Sequence, residues 1–287
     1  MATSCSGRKN IQGHPCFGGN HHGNGRMHLA VAPRCNIKCG YCSRLHDCAN
    51  ESRPGVTSRL LTPPEALEKV REVMASDLLG PMIKVIGIAG PGDPLANEET
   101  FTTFRMIGEE FPLLIKCMST NGLLLPEKID ELETLGLHSL TVTINTLDPV
   151  IGARIYSHVR YGGKQYRGEE AARILIANQL EGLRRAALFG MTIKVNTVYI
   201  PGVNEAQIPL VAEKVKELGA SVMNVMPLIP QADFAGAAPP TVEEIAAVQA
   251  ANEKIIGQFR HCRQCRADAV GVIDREEPPL RAGFGDA

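Results

Sequence analysis

The stretch LIKCMSTNGLLLPEKIDELETLG, residues 114–136, contains one complete strand–helix unit. Residues 114–121 are short and largely apolar, which predicts a buried strand. Residues 125–136 open on Leu-Pro and end in glycine, as is typical of a helix with a defined beginning and end. The same order recurs along the chain, and repeated strand–helix units indicate an α/β fold with a parallel sheet.

Five further units surround this one. The other predicted strands are residues 26–33, 83–90, 139–146, 192–200 and 222–229, and the other predicted helices are residues 63–76, 100–111, 169–190, 205–219 and 242–259. Six consecutive units predict a partial, six-stranded (βα)6 TIM-like barrel. An open doubly wound sheet is the alternative, although no dinucleotide fingerprint opens a helix here. In either fold, functional groups gather at the C-terminal ends of the strands.

One barrel domain with two extensions is the predicted organisation. We expect residues 26–260 to form the barrel, residues 1–25 to form an N-terminal loop, and residues 261–287 to form a C-terminal tail. Both extensions carry cysteines, so we expect them to fold over the mouth of the barrel and supply ligands there. Residues 156–168 are expected to form a lid over the site, with a plain surface excursion as the alternative.

The composition is that of a soluble globular protein with a substantial core. The 287 residues are 44% hydrophobic and 21% charged, and the formal net charge is -1. A charge so close to zero argues against a broad surface for nucleic acid or anionic membrane. No run approaches the roughly 20 apolar residues of a membrane helix, and the first residues lack the apolar core of a secretory signal. We therefore expect a cytoplasmic protein with neither nucleic acid nor membrane as partner.

Nine cysteines need an explanation in such a protein. Disulfides are rare in the cytosol, and an odd number of cysteines in clusters fits metal ligation better than disulfide pairing. Four of them fall within residues 35–48, and two more are Cys262 and Cys265. Cys5 lies close to the N-terminus and is expected to be free.

The segment CNIKCGYC, residues 35–42, has the spacing C-x3-C-x2-C directly after the first predicted strand. Three thiolates at this spacing suit three corners of a [4Fe–4S] cluster, and the fourth iron is left open for a small molecule. A zinc site is the alternative, but zinc usually takes four ligands in paired CxxC arrangements. Cys35, Cys39 and Cys42 are therefore the predicted ligands of an iron–sulfur cluster.

This motif after a first barrel strand resembles the radical S-adenosylmethionine (SAM) superfamily. The resemblance implies a barrel of the radical SAM type, in which the open iron binds the amino and carboxylate groups of SAM. Electron transfer then cleaves SAM to a 5′-deoxyadenosyl radical. Cys35, Cys39 and Cys42 would be the catalytic residues in this sense.

Glycines and polar side chains at other strand ends are the predicted SAM contacts. Gly90 and Gly92, in GIAGPGDP, allow close approach of backbone to a ligand and stand where the superfamily has a glycine-rich motif that holds the methionine amino group. Thr143 and Asn145 share one face of a strand and are polar where a barrel interior should be apolar, which suggests ribose or carboxylate contacts.

Asn196 repeats this pattern on the next strand, with Val195 beside it as a backbone contact. Tyr41, inside the cysteine motif, completes the predicted SAM-binding set. For each asparagine alone, a structural hydrogen bond is an equally good explanation, and their shared level favours a ligand.

Six further ligand candidates remain, and they divide into two sets of three. They are His14, Cys16, Cys48, Cys117, Cys262 and Cys265. A cluster with three protein ligands keeps an open iron and is easier to transform or release than a fully ligated one. A neutral imidazole also leaves more easily than a thiolate. His28, by contrast, is expected to be a solvent-facing histidine.

Seven stretches, spanning residues 14 to about 272, resemble the NifB family of nitrogenase cofactor biosynthesis. They are HPCF, GRMHLAVAPRCNIKCGYCSR, DCANESRPGVTS, GIAGPGDPLAN, CMSTNGL, TVTINTLDP and CRQCRADAVG. The resemblance implies a radical SAM maturase that fuses two [4Fe–4S] clusters into an [8Fe–9S–C] precursor of the nitrogenase cofactor (NifB-co). The carbide carbon would come from a SAM methyl group, a second SAM would supply the radical, and one sulfur would be added.

The implied cofactors are SAM and three [4Fe–4S] clusters, one for radical chemistry and two as substrates. On this resemblance we assign His14, Cys48 and Cys117 to one substrate cluster. Cys16, Cys262 and Cys265 are assigned to the other. Spacing alone leaves open which loop cysteine meets which tail cysteine.

The implied partners are iron–sulfur cluster donor proteins, a low-potential electron donor, and a separate carrier or scaffold for the product. The carrier is expected because many family members continue into a second domain that resembles cofactor carrier proteins, whereas this chain stops at residue 287. Two other function classes remain open. One is a radical SAM enzyme that modifies a peptide, nucleotide or small molecule with auxiliary clusters, and the other is a non-enzymatic iron–sulfur carrier or sensor.

Overall fold

The computed structural model describes residues 14–17, 23–45, 47–48, 50, 57, 59–260 and 267–272. Its strands are β1 (Gly25–His28), β2 (Ile37–Cys39), β3 (Ile83–Ile88), β4 (Ile115–Thr120), β5 (Leu137–Thr143), β6 (Tyr156–Tyr161), β7 (Lys164–Tyr166), β8 (Thr192–Tyr199), β9 (Val222–Pro227) and β10 (Val270–Val272). Its α-helices are α1 (Pro63–Met74), α2 (Glu98–Glu110), α3 (Leu125–Thr134), α4 (Pro149–Ile155), α5 (Gly168–Leu188), α6 (Gln207–Glu217) and α7 (Val242–Glu253).

The main sheet has the strand order β10-β1-β3-β4-β5-β8-β9. The six parallel strands of this sheet lie side by side in the order in which they occur in the chain. Strand β10 pairs antiparallel with β1 at one edge. A doubly wound sheet reverses its strand order at a switch point, and this sheet does not. When every strand–helix–strand connection is right-handed and moves along the sheet in the same direction, all the helices lie on one face of the sheet. The sheet curls into a half-barrel, so the predicted partial (βα)6 barrel is confirmed.

Side chains alternate between the two faces of this sheet. One face packs against the helices through apolar side chains such as Met27, Ile86, Met118, Leu140 and Val195. The intervening positions point into the half-barrel and carry buried polar side chains, among them His28, Thr141, Thr143, Lys194 and Asn196. A barrel interior is ordinarily filled with branched apolar residues. This polar interior therefore suits a polar ligand better than a packed core.

The helix boundaries follow local signals in the sequence. Thr62 and Glu65 form a capping box at the start of α1, in front of Pro63 and Pro64. Thr241 and Glu244 form a capping box at the start of α7. Helix α7 ends at Glu253, whereas residues 242–259 were expected to be helical. Backbone groups beyond the helix end pair with β9 instead of continuing the helix. The Met223 amide donates to the Gly257 carbonyl, and the Phe259 amide donates to the Met223 carbonyl.

A second, three-stranded sheet has the order β2-β6-β7. The expectation of a lid loop over residues 156–168 is wrong, because β6 and β7 form a hairpin there. Gly162 and Gly163 make its turn with positive φ values of 55° and 74°, which a two-residue type I′ turn requires. Strand β2 pairs antiparallel with β6 and carries Cys39. The hairpin thus holds the predicted cluster loop in place.

The ends of the barrel chain differ slightly from the expected division. Strand β1 begins at Gly25, and β10, within the expected ligand tail 261–287, joins the barrel sheet instead of standing apart. Among the described residues, no helix combines the length and apolar character required to cross a membrane. The division at residues 25 and 260 stays a prediction.

Candidate functional site

The first cavity opens where the parallel strands of the half-barrel end, and it has an empty volume of about 450 Å³. Cys35, Cys39 and Cys42 all line it, as the spacing predicts. Asp93 and Thr143 line the same cavity. The structure therefore brings the three thiols of the motif around one volume, together with a carboxylate and the Thr143 hydroxyl.

Two neighbouring segments position the cysteine loop. On one side is the β6–β7 hairpin, and the Gly40 amide also donates to the carbonyl of Ile155, at the end of α4 just before β6, at 2.7 Å. On the other side, the Gly92 amide donates to the Ala32 carbonyl at 2.6 Å, and the Asp93 amide donates to the Arg34 carbonyl at 2.8 Å. The residue before Cys35 is thereby clamped by the loop that follows β3.

Asn97 completes this clamp. Its Nδ2 donates to the Arg34 carbonyl at 2.9 Å, and its Oδ1 accepts from the Arg34 amide at 3.1 Å. A Cβ at Gly92 would lie 2.2 Å from the Arg34 carbonyl oxygen, so only glycine permits this approach. The Gly90 carbonyl accepts from the Ala32 amide at 3.3 Å. The glycines of this motif thus bring two protein segments together, and their predicted contact with methionine stays a prediction.

The three thiols fit an iron–sulfur cluster by their chemistry. Burial, followed by the nearby Asp93 carboxylate, raises the pKa of Cys35 to about 11. Burial and then the neighbouring thiols Cys42 and Cys35 raise the pKa of Cys39 well above its ordinary value. Thiolates are the form that binds iron, and in so buried a site they require a positive partner. The iron of a cluster supplies that positive charge.

The three thiols surround a volume and do not converge on a point. In the part of the chain that the structure describes, no three His, Cys, Asp or Glu side chains come together closely enough to hold one metal ion. In a cluster each iron takes one thiolate, whereas one zinc ion draws all its ligands within about 2.3 Å. Three thiols that line one volume suit a cluster of this kind.

Asp93 is a site residue that the sequence analysis missed. Its side chain is 3% exposed, and its carboxylate accepts from the amides of Leu95 and Asn121 and from the Thr120 hydroxyl. Burial raises the pKa of Asp93 to about 6 in spite of these bonds. Its only sequence signal was an acidic residue within a glycine- and proline-rich strand end. A carboxylate in this place can accept hydrogen bonds from an ammonium group in the cavity.

Thr143 has the free hydrogen-bonding capacity that its predicted role requires. It is 3% exposed and lines the first cavity. Its Oγ1 is buried and has no hydrogen-bond partner among the described residues. A buried polar group without a partner is costly, and a polar ligand in the cavity would remove that cost.

Asn145 and Tyr41 occupy a hydrogen-bond network behind the cavity. Asn145 Nδ2 donates to the Tyr41 hydroxyl at 2.7 Å, and Asn145 Oδ1 accepts from the Val198 amide at 2.9 Å. The Tyr41 hydroxyl donates to Asn50 Oδ1 at 2.7 Å. This network ties the cysteine loop to β8. A direct contact of either side chain with SAM would require exchanging these bonds, and it stays a prediction.

The side chains of the remaining two predicted SAM contacts, Val195 and Asn196, lie on opposite sides of the sheet. The Val195 side chain packs on the helix side of the sheet, which leaves its backbone as the available contact. Asn196 lines a different cavity, where its Nδ2 donates to the Asn50 carbonyl at 3.1 Å. Asn196 therefore lies level with Thr143 along the strands, as expected, but the two side chains line different cavities.

The second cavity, of about 360 Å³, adjoins the first and shares Ala89 and Ser119 with it. Two thiols, Cys16 and Cys117, line it. Cys16 also packs with Phe17 against Cys117. The structure thus brings an N-terminal cysteine and a β4 cysteine to a common volume beside the first cavity.

Two basic side chains of the second cavity were not anticipated. The expectation that His28 faces solvent is wrong, because it lies on β1, is 7% exposed and lines this cavity. Lys194 on β8 is 4% exposed and lines it too. Its Nζ lies 5.3 Å from the ring centroid of Phe17 and 4.9 Å from that of Phe259. A buried ammonium over two aromatic faces makes this cavity suitable for an anion.

The other predicted ligands are distributed as follows. His14 is buried, and its Nδ1 accepts from the Cys16 amide at 3.1 Å. Cys48 lines the first cavity, together with the three cysteines of the motif. Cys5, Cys262 and Cys265 lie outside the described residues. The two assigned ligand sets stay a prediction, and Cys16 and Cys117, placed in different sets, line the same cavity.

Comparison with known proteins identifies the family of this chain. The family model of the radical SAM superfamily matches residues 29–215. The FeMo cofactor biosynthesis protein NifB of Klebsiella pneumoniae is 46% identical over 271 residues, covering 92% of this chain and 57% of that protein. The chain belongs to the radical SAM superfamily and, within it, to the NifB family.

NifB of Chlorobaculum tepidum is 44% identical over 268 residues, covering 92% of this chain and 62% of that protein. The chain therefore spans between about half and two thirds of the length of these NifB relatives. Among solved structures, SuiB of Streptococcus suis has a TM-score of 0.56 at 15% identity, and the match covers 80% of this chain and 46% of that one. This last likeness concerns the fold alone. Membership of the superfamily makes the chain an enzyme that uses a [4Fe–4S] cluster and SAM.

Proposed function

We propose that this NifB-family chain is a radical SAM maturase for the nitrogenase cofactor. It would fuse two [4Fe–4S] clusters, a SAM-derived carbide and an added sulfur into the [8Fe–9S–C] precursor. The observation that carries the proposal is the pair of adjoining cavities, each lined by thiols. A radical SAM enzyme with auxiliary clusters is expected to have its further cysteines in a C-terminal extension, whereas Cys16 comes from the N-terminal segment and Cys117 from β4.

The first cavity is the proposed radical site. Cys35, Cys39 and Cys42 would hold the cluster and leave one iron open. One SAM molecule bound there would supply the methyl group and leave as S-adenosylhomocysteine, and a second would supply the 5′-deoxyadenosyl radical and leave methionine. Asp93 would accept hydrogen bonds from the methionine ammonium, and the Thr143 hydroxyl would bond a polar group of the same molecule.

The second cavity is the proposed place of substrate iron–sulfur clusters. Cys16 and Cys117 offer thiolates, and Lys194 offers positive charge to a cluster that is anionic once thiolates bind it. The wall shared through Ala89 and Ser119 keeps a cluster there next to SAM. His14, Cys48, Cys262 and Cys265 complete the predicted ligand sets, which we retain as proposed. Cluster donor proteins and a separate carrier for the product remain the proposed partners.

Iron content separates this function from that of a radical SAM enzyme with a single cluster. We would change Cys35, Cys39 and Cys42 together to alanine and reconstitute the protein without oxygen. Roughly eight iron atoms per chain should remain, because two four-iron clusters bind elsewhere. The Cys5→Ala variant is the matched control and should keep roughly twelve. If the triple variant retains almost no iron, the substrate-cluster proposal is wrong.

The fate of the SAM methyl group tests the chemistry. Protein loaded with all clusters and given SAM with a labelled methyl carbon should incorporate the label into an acid-labile iron–sulfur product. It should also release 5′-deoxyadenosine under reducing conditions. Release of 5′-deoxyadenosine without label in the cluster would favour a radical enzyme acting on another substrate. No SAM cleavage in the fully loaded protein would exclude both enzyme functions.

A further inference from the structure

The outer face of the β2-β6-β7 sheet is basic. Strand pairing places Lys38 opposite His158 and Arg160 opposite Gln165. These side chains share one face, because alternate residues of a strand point the same way, and Arg167 continues the row two residues after Gln165. The residues between them face inward: Ile37 and Val159 are buried in an apolar cluster with Cys39. We call the outer row, with Lys164 at the hairpin turn, the basic face.

Acidic groups do not neutralise the basic face. Residues 149–168 contain no Asp or Glu, although the whole chain has a net charge of -1. Within the described part of the chain, Lys38, Arg160, Lys164 and Arg167 form no salt bridge. The donors that are bonded reach neutral acceptors: Lys38 reaches the Cys42 carbonyl, Arg160 reaches Gln165, and Arg167 reaches the Ser157 carbonyl.

Among the described residues, the carboxylates that contact the hairpin do so at its inward-facing residues. Asp233 accepts from the Ser157 hydroxyl at 2.8 Å, and Glu127 hydrogen-bonds Tyr161. On the outer row, partial burial and then the surrounding cations, first Arg160, lower the pKa of His158. The charged side chains of the basic face are therefore all cations without a carboxylate partner among the described residues, whereas Arg71, Arg184 and other exposed arginines of the helices are paired with glutamates.

The basic face lies directly outside the proposed radical cluster. Lys38 and Cys39 are consecutive in β2, so their side chains point to opposite sides of the same strand. Cys39 lines the first cavity, and the Lys38 ammonium is bonded to the carbonyl of Cys42, another proposed ligand. One strand therefore separates the outer surface from a ligand of the cluster.

We propose that the basic face is the docking surface for a small, acidic, low-potential electron-transfer protein. The inference rests on the proposed cluster at Cys35, Cys39 and Cys42. Each encounter passes one electron: the reduced centre of the partner loses it, the cluster gains it, and no proton or group moves. Electron-transfer complexes are small and weak, and they rely on complementary charge to speed their encounter. A compact basic face over a redox centre meets both requirements.

The test uses charge reversal with a matched control. The variant Arg160→Glu/Lys164→Glu/Arg167→Glu reverses three cations of the basic face, none of which lines either cavity. The control Lys84→Glu/Lys216→Glu/Lys254→Glu changes the net charge equally at exposed lysines elsewhere. Stopped-flow absorbance would follow reduction of the reconstituted protein by a reduced acidic ferredoxin, at low and high salt.

We expect the basic-face variant to be reduced at least about tenfold more slowly at low salt, since electrostatic steering raises association rates by 10-fold to 1,000-fold. The difference should shrink at high salt, because salt screens exposed charges. Reduction by dithionite should be the same in all three proteins. If the ferredoxin reduces both triple variants at equal rates, the docking proposal is wrong, while the dithionite arm reports separately on the cluster.

A binding measurement removes any dependence on cluster loading. Fluorescence anisotropy of labelled ferredoxin with metal-free protein should show salt-sensitive binding to the unaltered chain and the control, and at least about tenfold weaker binding to the basic-face variant. Circular dichroism would verify that all three are folded. Equal binding to both variants, or binding of a short oligonucleotide in place of ferredoxin, would overturn the proposal.

Discussion

Gly92 controls how closely the β3 loop approaches the cysteine loop. In Gly92→Ala the new methyl group would lie 2.2 Å from the Arg34 carbonyl oxygen. Overpacking of this kind costs about 1–3 kcal/mol, and relief must push the backbone before Cys35 away. We expect the variant to lose iron at the radical site and to cleave SAM poorly, as measured by iron analysis and 5′-deoxyadenosine formation.

Gly80→Ala is the matched control for this change. Its methyl group would lie 2.3 Å from the Met74 carbonyl oxygen, at the end of α1 and away from both cavities. We expect a similar loss of unfolding free energy with normal iron loading. Equal iron content in the two variants would contradict the role of Gly92 as a clamp on the cysteine loop.

Thr143 should show opposite effects on stability and on ligand binding. The change Thr143→Val keeps the shape of the side chain and removes a buried hydroxyl that has no partner among the described residues. We expect the unfolding free energy of the ligand-free protein to rise by about 1 kcal/mol, and SAM to bind more weakly. Urea unfolding and equilibrium dialysis of the cluster-loaded protein would measure the two effects.

Thr100 on α2 provides the comparison, because its Oγ1 is also buried without a partner in the described structure. Thr100→Val should raise stability by a similar amount and leave SAM binding unchanged. If Thr143→Val binds SAM as tightly as the unaltered chain, the hydroxyl has no part in ligand binding.

Single residues were predictable when their position in a motif or strand was enough. The three motif cysteines followed from spacing, and Thr143 followed from alternation along β5. Asp93 and Lys194 did not, because acidic residues and lysines are ordinarily exposed and only the fold buries these two. The hydrogen bonds of Asn145 depend on segments about a hundred residues away in sequence, which no local pattern contains.

At the level of elements, the β6–β7 hairpin supports the cysteine loop through an apolar contact. Val159 is fully buried and pairs with Ile37 of β2. Val159→Ala should lower the unfolding free energy by about 2 kcal/mol through the cavity it leaves. Because that cavity opens behind β2, we also expect lower iron content at the radical site, measured together with urea unfolding.

Val70→Ala on α1 is the control for this change, since Val70 is equally buried in the core on the helix side of the main sheet. It should cost similar stability and leave the iron content intact. A loss of iron in both variants would mean that iron content follows global stability and that the hairpin has no special role.

The six strand–helix units were predictable because each is long enough to show its hydrophobic period. Strand β2 was not, since it has three residues and lies within the cysteine motif. The hairpin was also missed, because its strands alternate between an inward apolar face and an outward basic one that resembled a polar loop. Sequence patterns thus placed the barrel and overlooked the small sheet that holds the cysteine loop.

For the whole molecule, the edge of the barrel beside β1 depends on β10. A chain ending at Ala269 lacks β10, whereas one ending at Val272 retains it and serves as the control. We expect amide hydrogen exchange in β1 to become at least about tenfold faster in the shorter chain, since sheet edges open more readily than sheet interiors. Exchange in β8, at the far side of the sheet, should be unchanged. Equal protection of β1 in both chains would contradict this dependence.

The parallel order of the sheet was predictable from repeated units, whereas the second cavity was not. Cys16 and Cys117 are distant in sequence and meet only because β4 lies in the middle of the curled sheet. This proximity is not visible in the sequence, so it could not guide the assignment of the two cysteines to ligand sets. The number of candidate ligands could be read from the sequence, but their grouping depends on the fold.

The pairing of β1 with β10 also sets an order of events in time. Arg26 Nη1 donates to the Gly271 carbonyl across 245 residues of sequence, so β1 leaves the ribosome long before its partner β10. Contacts between residues so far apart in sequence form late and make folding slower. Protein synthesis itself proceeds at about 5–20 residues per second. We therefore expect metal insertion to follow the synthesis of β10. Until then the cysteines are exposed to oxidation, and the cell must protect them during synthesis.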